Sequence, residues 1–150
     1  MKGIEVVGVQ IANRPVADVD GVMENNREAE IAIRKHLERG RRRRGVVFVL
    51  PELSSCGYGE ITFNNLDVLA EDPINGPSSL FYCALSRSIS CYIAFGLVTR
   101  DLCDPSLFNI SHVHHLLTFP LDPSISFSFF SQSLDLDVLL ADHQRNGHRS

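Results

Sequence analysis

The run Val46-Val-Phe-Val-Leu50 is apolar at every position and stops at Pro51. A strand with one wet face alternates apolar and polar residues, whereas an unbroken apolar strand is covered on both faces, as in parallel sheets flanked by helices. Proline has no N–H to give to a ladder, so the strand must end there. Glu52 therefore falls just past a strand's carboxyl end, the rim where ligands bind in α/β sheets.

The segments around this run fit the same architecture. Residues 4–12 read as a first strand, with Val7, Val9 and Ile11 on one face and Ile4 and Val6 on the other. Apolar on both sides, it is expected to be covered rather than to form a solvated edge, and Asn13-Arg14-Pro15 breaks it. Over residues 20–39 the period becomes helical, with Val22, Ala29, Ile33 and Leu37 on one stripe and Gly40 as a stop. Residues 54–75, carrying Gly57, Gly59, Asn64, Asn65 and Pro73, are loop-like. Gly76-Pro77 opens a second helix, proline being suited to the first helical position, and its expected apolar face is Leu80, Phe81, Ala84, Leu85 and Ile89. Residues 91–98 and 107–117 read as two further strands. Strand, helix, strand, helix, strand, strand indicates an α/β fold with helices packed on a sheet. Past residue 117 the rhythm stops at a Ser/Phe-rich stretch and a polar end. The chain divides into an α/β part, 1–117, and a divergent tail, 118–150, expected to be poorly ordered.

Composition narrows the function classes. With 44% hydrophobic and 21% charged residues, the 150-residue chain can build a core. A net charge of −4 gives no overall footprint for nucleic acid. Arg39 and Arg41, Arg42, Arg43 and Arg44 are the exception. They suit a phosphate-binding or nuclear-localisation patch, or more plainly a solvated helix end whose carbonyls they complement. No stretch has the apolar length of a signal peptide or membrane span. Cys56, Cys83, Cys91 and Cys103 form neither a CxxC pair nor a disulfide framework. A reduced, cytoplasmic setting is expected, with no membrane and no nucleic-acid partner.

Glu52 is the residue whose position suggests chemistry. A carboxylate partly desolvated at a strand end has a raised pKa and suits a general base, although a strand-end glutamate is more often simply hydrogen-bonded to a loop. Tyr58 either lines the pocket or packs beneath the loop. His112 and His114 would share a face of a strand, a workable pair of metal ligands, but a closed site needs four ligands and a polar strand end is the simpler reading. No metal and no cofactor are expected.

The segment from Val46 to Tyr58, an apolar strand, Pro51-Glu52, a short variable stretch and Gly57-Tyr58, resembles the glutamate signature of the nitrilase superfamily of carbon–nitrogen hydrolases. Val7-Gly-Val-Gln10, Asn25, Leu69-Ala-Glu71, Gly76-Pro77, Ile93-Ala-Phe-Gly-Leu97 and Leu107-Phe-Asn109 resemble the segments that flank it, in the same order, over residues 4–113. The resemblance implies about half of a four-layer α-β-β-α sandwich, commonly assembled into homo-oligomers. It also implies hydrolysis of an amide, nitrile or carbamoyl group by a Glu–Lys–Cys triad, with Glu52 as the general base. The lysine and nucleophilic cysteine of that family belong to later motifs. The lysines here are Lys2 and Lys35, and no cysteine follows Cys103. Cys56 stands at a variable loop position of the family, and Cys83 and Cys91 read as small core hydrophobes. The expectation is a family member truncated before its lysine and cysteine motifs and inactive as this chain. The alternative is a truncated or pseudoenzyme product acting as the partner of a full-length relative. An unrelated doubly wound binding domain is disfavoured, since Ala12-Asn-Arg-Pro15 offers no glycine-rich loop after the first strand.

Overall fold

The computed structural model describes residues 4–40 and 45–100, together with the backbone of 108–115 and 131–133. Arg41–Arg44, Cys103, Asp104 and most of the tail lie outside the described residues. The element order is β1 (Glu5–Gly8), α1 (Val19–Arg39), β2 (Val46–Val49), α2 (Glu60–Phe63), α3 (Leu66–Leu69), α4 (Pro77–Ile89), β3 (Tyr92–Arg100), β4 (Phe108–His115) and β5 (Ser131–Ser133). The strands form one sheet in sequence order. β1, β2 and β3 are parallel, while β4 runs antiparallel to β3 and β5 antiparallel to β4. The α/β fold read from the sequence is therefore present, with α1 and α4 as the crossovers that parallel strands require.

Local chemistry explains the element ends. Asp18 caps α1, accepting a hydrogen bond from Gly21 N at 2.9 Å. Gly40 ends the helix with extended backbone, and Pro77 occupies the first turn of α4. β1 is shorter than the apolar run suggested. Its ladder partner β2 turns away at Pro51, so Val9 keeps one bond, to Val49 O at 2.8 Å, and the chain beyond it is unpaired with β2.

One sheet face packs on the helices. Phe48, Ile93, Phe95 and Leu97 from the strands meet Ala29 and Ile33 of α1 and Tyr82 and Leu85 of α4. Tyr82 and Phe95 stack with ring centroids 4.3 Å apart. Burying a side chain such as Phe48 contributes roughly 1.5–3 kcal/mol.

Three expectations are corrected. β1 has β2 as its one partner among the described residues, and Val6 is 67% exposed, so the first strand is an edge open on its outer face. Val49 is exposed on that same open side of β2. On α4 the inward stripe is Ser78, Tyr82, Leu85 and Ser86, while Leu80 is 57% exposed. Tyr82 supplies the apolar area that Leu80 was expected to give. Residues 54–75 are not merely loop. They contain α2 and α3, and Leu53, Cys56, Leu66 and Leu69 close with Val22 and Val98 into a second core beyond the end of β2.

Candidate active site

β2 delivers the chain to Pro51, and the segment from Glu52 to Tyr58 crosses the end of the sheet. Its interior, Leu53 to Gly57, is buried; its two ends, Glu52 and Tyr58, are exposed. A buried loop must satisfy its backbone groups internally, and nearly every tie comes from a different element. Asn13 Nδ2 donates to Leu53 O at 2.8 Å, and Gly57 N donates to the same oxygen at 2.7 Å. Asn25 Nδ2, from the second turn of α1, reaches Ser55 O at 3.1 Å and Arg14 O at 2.8 Å, clasping the loop after β1 to the loop after β2. Thr62 Oγ1 and Val16 N both donate to Cys56 O, at 2.9 and 3.1 Å. Ser54 Oγ donates to Gly96 O of β3 at 3.2 Å.

Two glycines allow this packing. A Cβ at Gly96 would lie 1.4 Å from Glu52 O, so β3 must lack a side chain where the loop crosses it. Gly57 has φ +70°, and a Cβ there would meet Arg14 O at 2.5 Å. The left-handed turn at Gly57 sends Tyr58 back toward the start of the loop. The Tyr58 hydroxyl donates to Glu52 Oε2, and its ring rests on Phe63, centroids 6.3 Å apart. Tyr58 thus does not pack beneath the loop. Burial and the Glu52 carboxylate push its phenol well above the ordinary tyrosine range.

The structure does not bring Cys83, Cys91 or Lys35 to the Glu52 loop. Glu52 itself is exposed at one end of the loop. Cys56 is near it in sequence, but its side chain points into the second core. Burial, with a smaller contribution from Glu71, pushes that thiol up to about 11, so it is protonated at neutral pH, the reverse of what a nucleophile needs. Cys91 is in the main core; Cys83 is only half-buried. α1 is the crossover between parallel β1 and β2, so Lys35, late in α1, lies toward the end of the sheet where β2 begins. Glu52 follows the opposite end. His112 and His114 lie in register with Gly96 and Ala94 of β3.

Glu71, a second carboxylate, has a structural task. Its two oxygens accept from Ser78 N at 2.7 Å and Ser78 Oγ at 2.6 Å, and Asn26 Nδ2 donates to the same hydroxyl at 2.9 Å. The N-cap of α4, Gly76, has no side chain, so a carboxylate from outside the helix meets the free N–H groups and the positive dipole end. Burial raises the Glu71 pKa, and the Ser78 bonds oppose that rise. Asn13, Asn25 and Asn26 are the positions that sequence periodicity missed. Two asparagines on the buried stripe of a helix are the signal that was available, since buried amides are kept only where they are bonded.

No family model and no curated protein sequence matches the chain. Solved structures do. A crystal structure of an N-terminal amidase aligns with 74% of this chain at a TM-score of 0.55 and 18% identity. A crystal structure of N-terminal amidase with a Gln-Gly peptide aligns over the same share at 0.56 and 18% identity. In both cases the aligned part is 24% of the amidase chain, so this chain spans about a quarter of their length. At that identity the likeness is one of fold: the α/β arrangement here is that of part of an amidase. No helix among the described residues is long and apolar enough to cross a membrane.

Proposed function

We propose that this chain carries the proton-accepting part of a carbon–nitrogen hydrolase of the nitrilase superfamily, with Glu52 as general base, and that it does not turn over substrate unaided. The observation that carries the reading is Glu52 itself, exposed at the carboxyl end of β2 on a loop tied to β3, α1 and the β1–α1 loop. The likeness of the fold to part of an N-terminal amidase supports an amide as the group acted on, and the resemblance around Pro51-Glu52 adds nitrile and carbamoyl groups as alternatives. In such a reaction a thiol attacks the carbon, the glutamate takes the thiol proton, and a cation stabilises the developing charge. Residues acting as such a unit lose nearly all their effect when one is missing. Here Cys56 is buried and held protonated, and Lys35 lies late in α1, toward the start of β2 rather than its carboxyl end.

Two measurements test this. Incubation with a reactive amide should leave all four cysteines free of stoichiometric thioester by mass spectrometry; a stable acyl adduct on any of them overturns the prediction of no turnover. Co-expression with an amidase fragment that supplies lysine and cysteine but lacks its own glutamate segment should restore ammonia release. That release should vanish with Glu52→Gln, and its persistence would remove Glu52 from the role.

A second reading is favoured by Ile4, Val6 and Val49, apolar residues exposed along β1 and β2. They suit a chain that acts as a partner, of itself or of a full-length relative.

A further inference from the structure

Every residue between Glu52 and Tyr58 is buried and tethered, yet the two ends are exposed and their side chains meet. Asn13, Asn25, Ser54 and Thr62 hold the loop from four directions, and Gly57 turns it where no Cβ fits. Seven residues are thereby folded so that one phenol reaches one carboxylate. We infer that Tyr58 is the positioning residue for Glu52: its hydroxyl holds Oε2 and leaves Oε1 as the oxygen presented to accept a proton. The function of this contact rests on the reading of Glu52 as a base; the contact itself does not.

An exposed glutamate has three rotatable bonds and loses side-chain entropy when fixed. Activity as a base demands one rotamer, with the receiving oxygen in hydrogen-bond reach of the donor. A phenol bonded to one carboxylate oxygen supplies that restraint while the other oxygen stays open. Phe63 packs against the ring. The proton taken from a thiol ends on Oε1, and the Tyr58 O–H bond is neither broken nor formed. Besides Glu52, the Cys56 thiol is the titratable group that bears on Tyr58. It is neutral near neutral pH, where the base would act, and in the parent chain it ionises before Tyr58 as pH is raised; the same thiol is present in Glu52→Gln.

The test uses the full chain, 13C-labelled at Glu and Tyr, with Tyr58→Phe and Glu52→Gln. Tyr58→Phe keeps the ring and its contact with Phe63 and removes only the hydroxyl. Side-chain couplings should show one Glu52 rotamer in the parent chain and averaged values in Tyr58→Phe, while the amide shifts of residues 53–57 stay in place. Glu52→Gln should move the Tyr58 ionisation down toward that of an ordinary tyrosine. Glu52 couplings unchanged by Tyr58→Phe, or a Tyr58 ionisation unmoved by Glu52→Gln, would overturn the inference. Neither readout needs turnover, so a failed base assignment, read in the co-expression assay, leaves them standing. In that restored assay Tyr58→Phe should lower kcat by about 10- to 100-fold with KM little changed, the signature of misplacement rather than lost binding.

Discussion

Replacing Gly96 by alanine tests the packing that holds the Glu52 loop. The added Cβ would stand 1.4 Å from Glu52 O and 2.4 Å from its carbonyl carbon, against 3.4 Å for an ordinary contact. Relief requires β3 and the loop to part by about 2 Å, in an interior with no spare space. Both obstructing atoms are backbone, so no rotamer change helps. Overpacking a core costs about 1–3 kcal/mol when side chains yield, and a backbone clash belongs at or above the top of that range. Separation also stretches the bond from Ser54 Oγ to Gly96 O, worth about 1 kcal/mol. The sum, about 4 kcal/mol, is a large share of the 5–15 kcal/mol that holds a typical domain. Gly8→Ala is the control, since its Cβ would meet nothing within 4 Å; its effect should stay within about 0.5 kcal/mol. The chain has no tryptophan, so urea unfolding is best followed by far-ultraviolet circular dichroism. A Gly96→Ala midpoint equal to that of Gly8→Ala would refute the close approach of β3 to Glu52.

Asn25→Ala removes both ties from α1 to the two loops and leaves the Arg14 and Ser55 carbonyls without them; a loss of about 2–4 kcal/mol is expected in the same urea assay. Iodoacetamide at mildly alkaline pH should alkylate half-buried Cys83 before Cys56, as read by peptide mass spectrometry. Cys56 also makes stability fall at high pH: both states keep the proton below the ordinary value of 9.0, but above it the unfolded chain ionises while the folded thiol holds on to about 11. Glu71, likewise raised, favours the folded state most when protonated, so its contribution is lost as pH rises through the region above 4.5. The difference between the parent chain and Glu71→Gln should show that slope. The open side of β1 and β2 should make the chain self-associate or melt at low stability, and Val6→Lys should weaken association in sedimentation velocity. A monodisperse parent chain that melts cooperatively as a monomer would contradict this.

The fold was legible where periodicity and covalent geometry decide it. The all-apolar run before Pro51, the stripe on α1 and the Gly76-Pro77 helix start all report local constraints, and each element lies where those constraints put it. Misread features depend on neighbours that a pattern does not contain. Val6 looks like a core residue, but which faces of β1 are covered depends on what else stacks on the sheet. Leu80 looks like the inward residue of α4; Ser78 takes that face because Glu71 and Asn26 bond its hydroxyl there, and Tyr82 and Leu85 supply the apolar area. At the site, Pro51-Glu52 was readable as a strand end. The contact of Tyr58 with Glu52 was not, since it depends on the positive φ of Gly57 and on Gly96 lying beneath the loop from far along the chain.

That distribution of contacts also separates the parts of the proposed chemistry. A general base needs orientation and access, and both are met by groups between Asn13 and Gly96. Asn13 and Asn25 grip the loop from one side, Ser54 binds β3 on the other, and Tyr58 holds the carboxylate. A nucleophilic thiolate needs a positive neighbour and a partly open site; Cys56 and Cys91 are buried, and half-buried Cys83 belongs to α4, a different element from the Glu52 loop. The base can therefore be built and held by this segment before any nucleophile is supplied. If so, the contact between Tyr58 and Glu52 should be the same in the chain alone and in the co-expressed assembly, and only the partner fragment should differ between an inert and an active state.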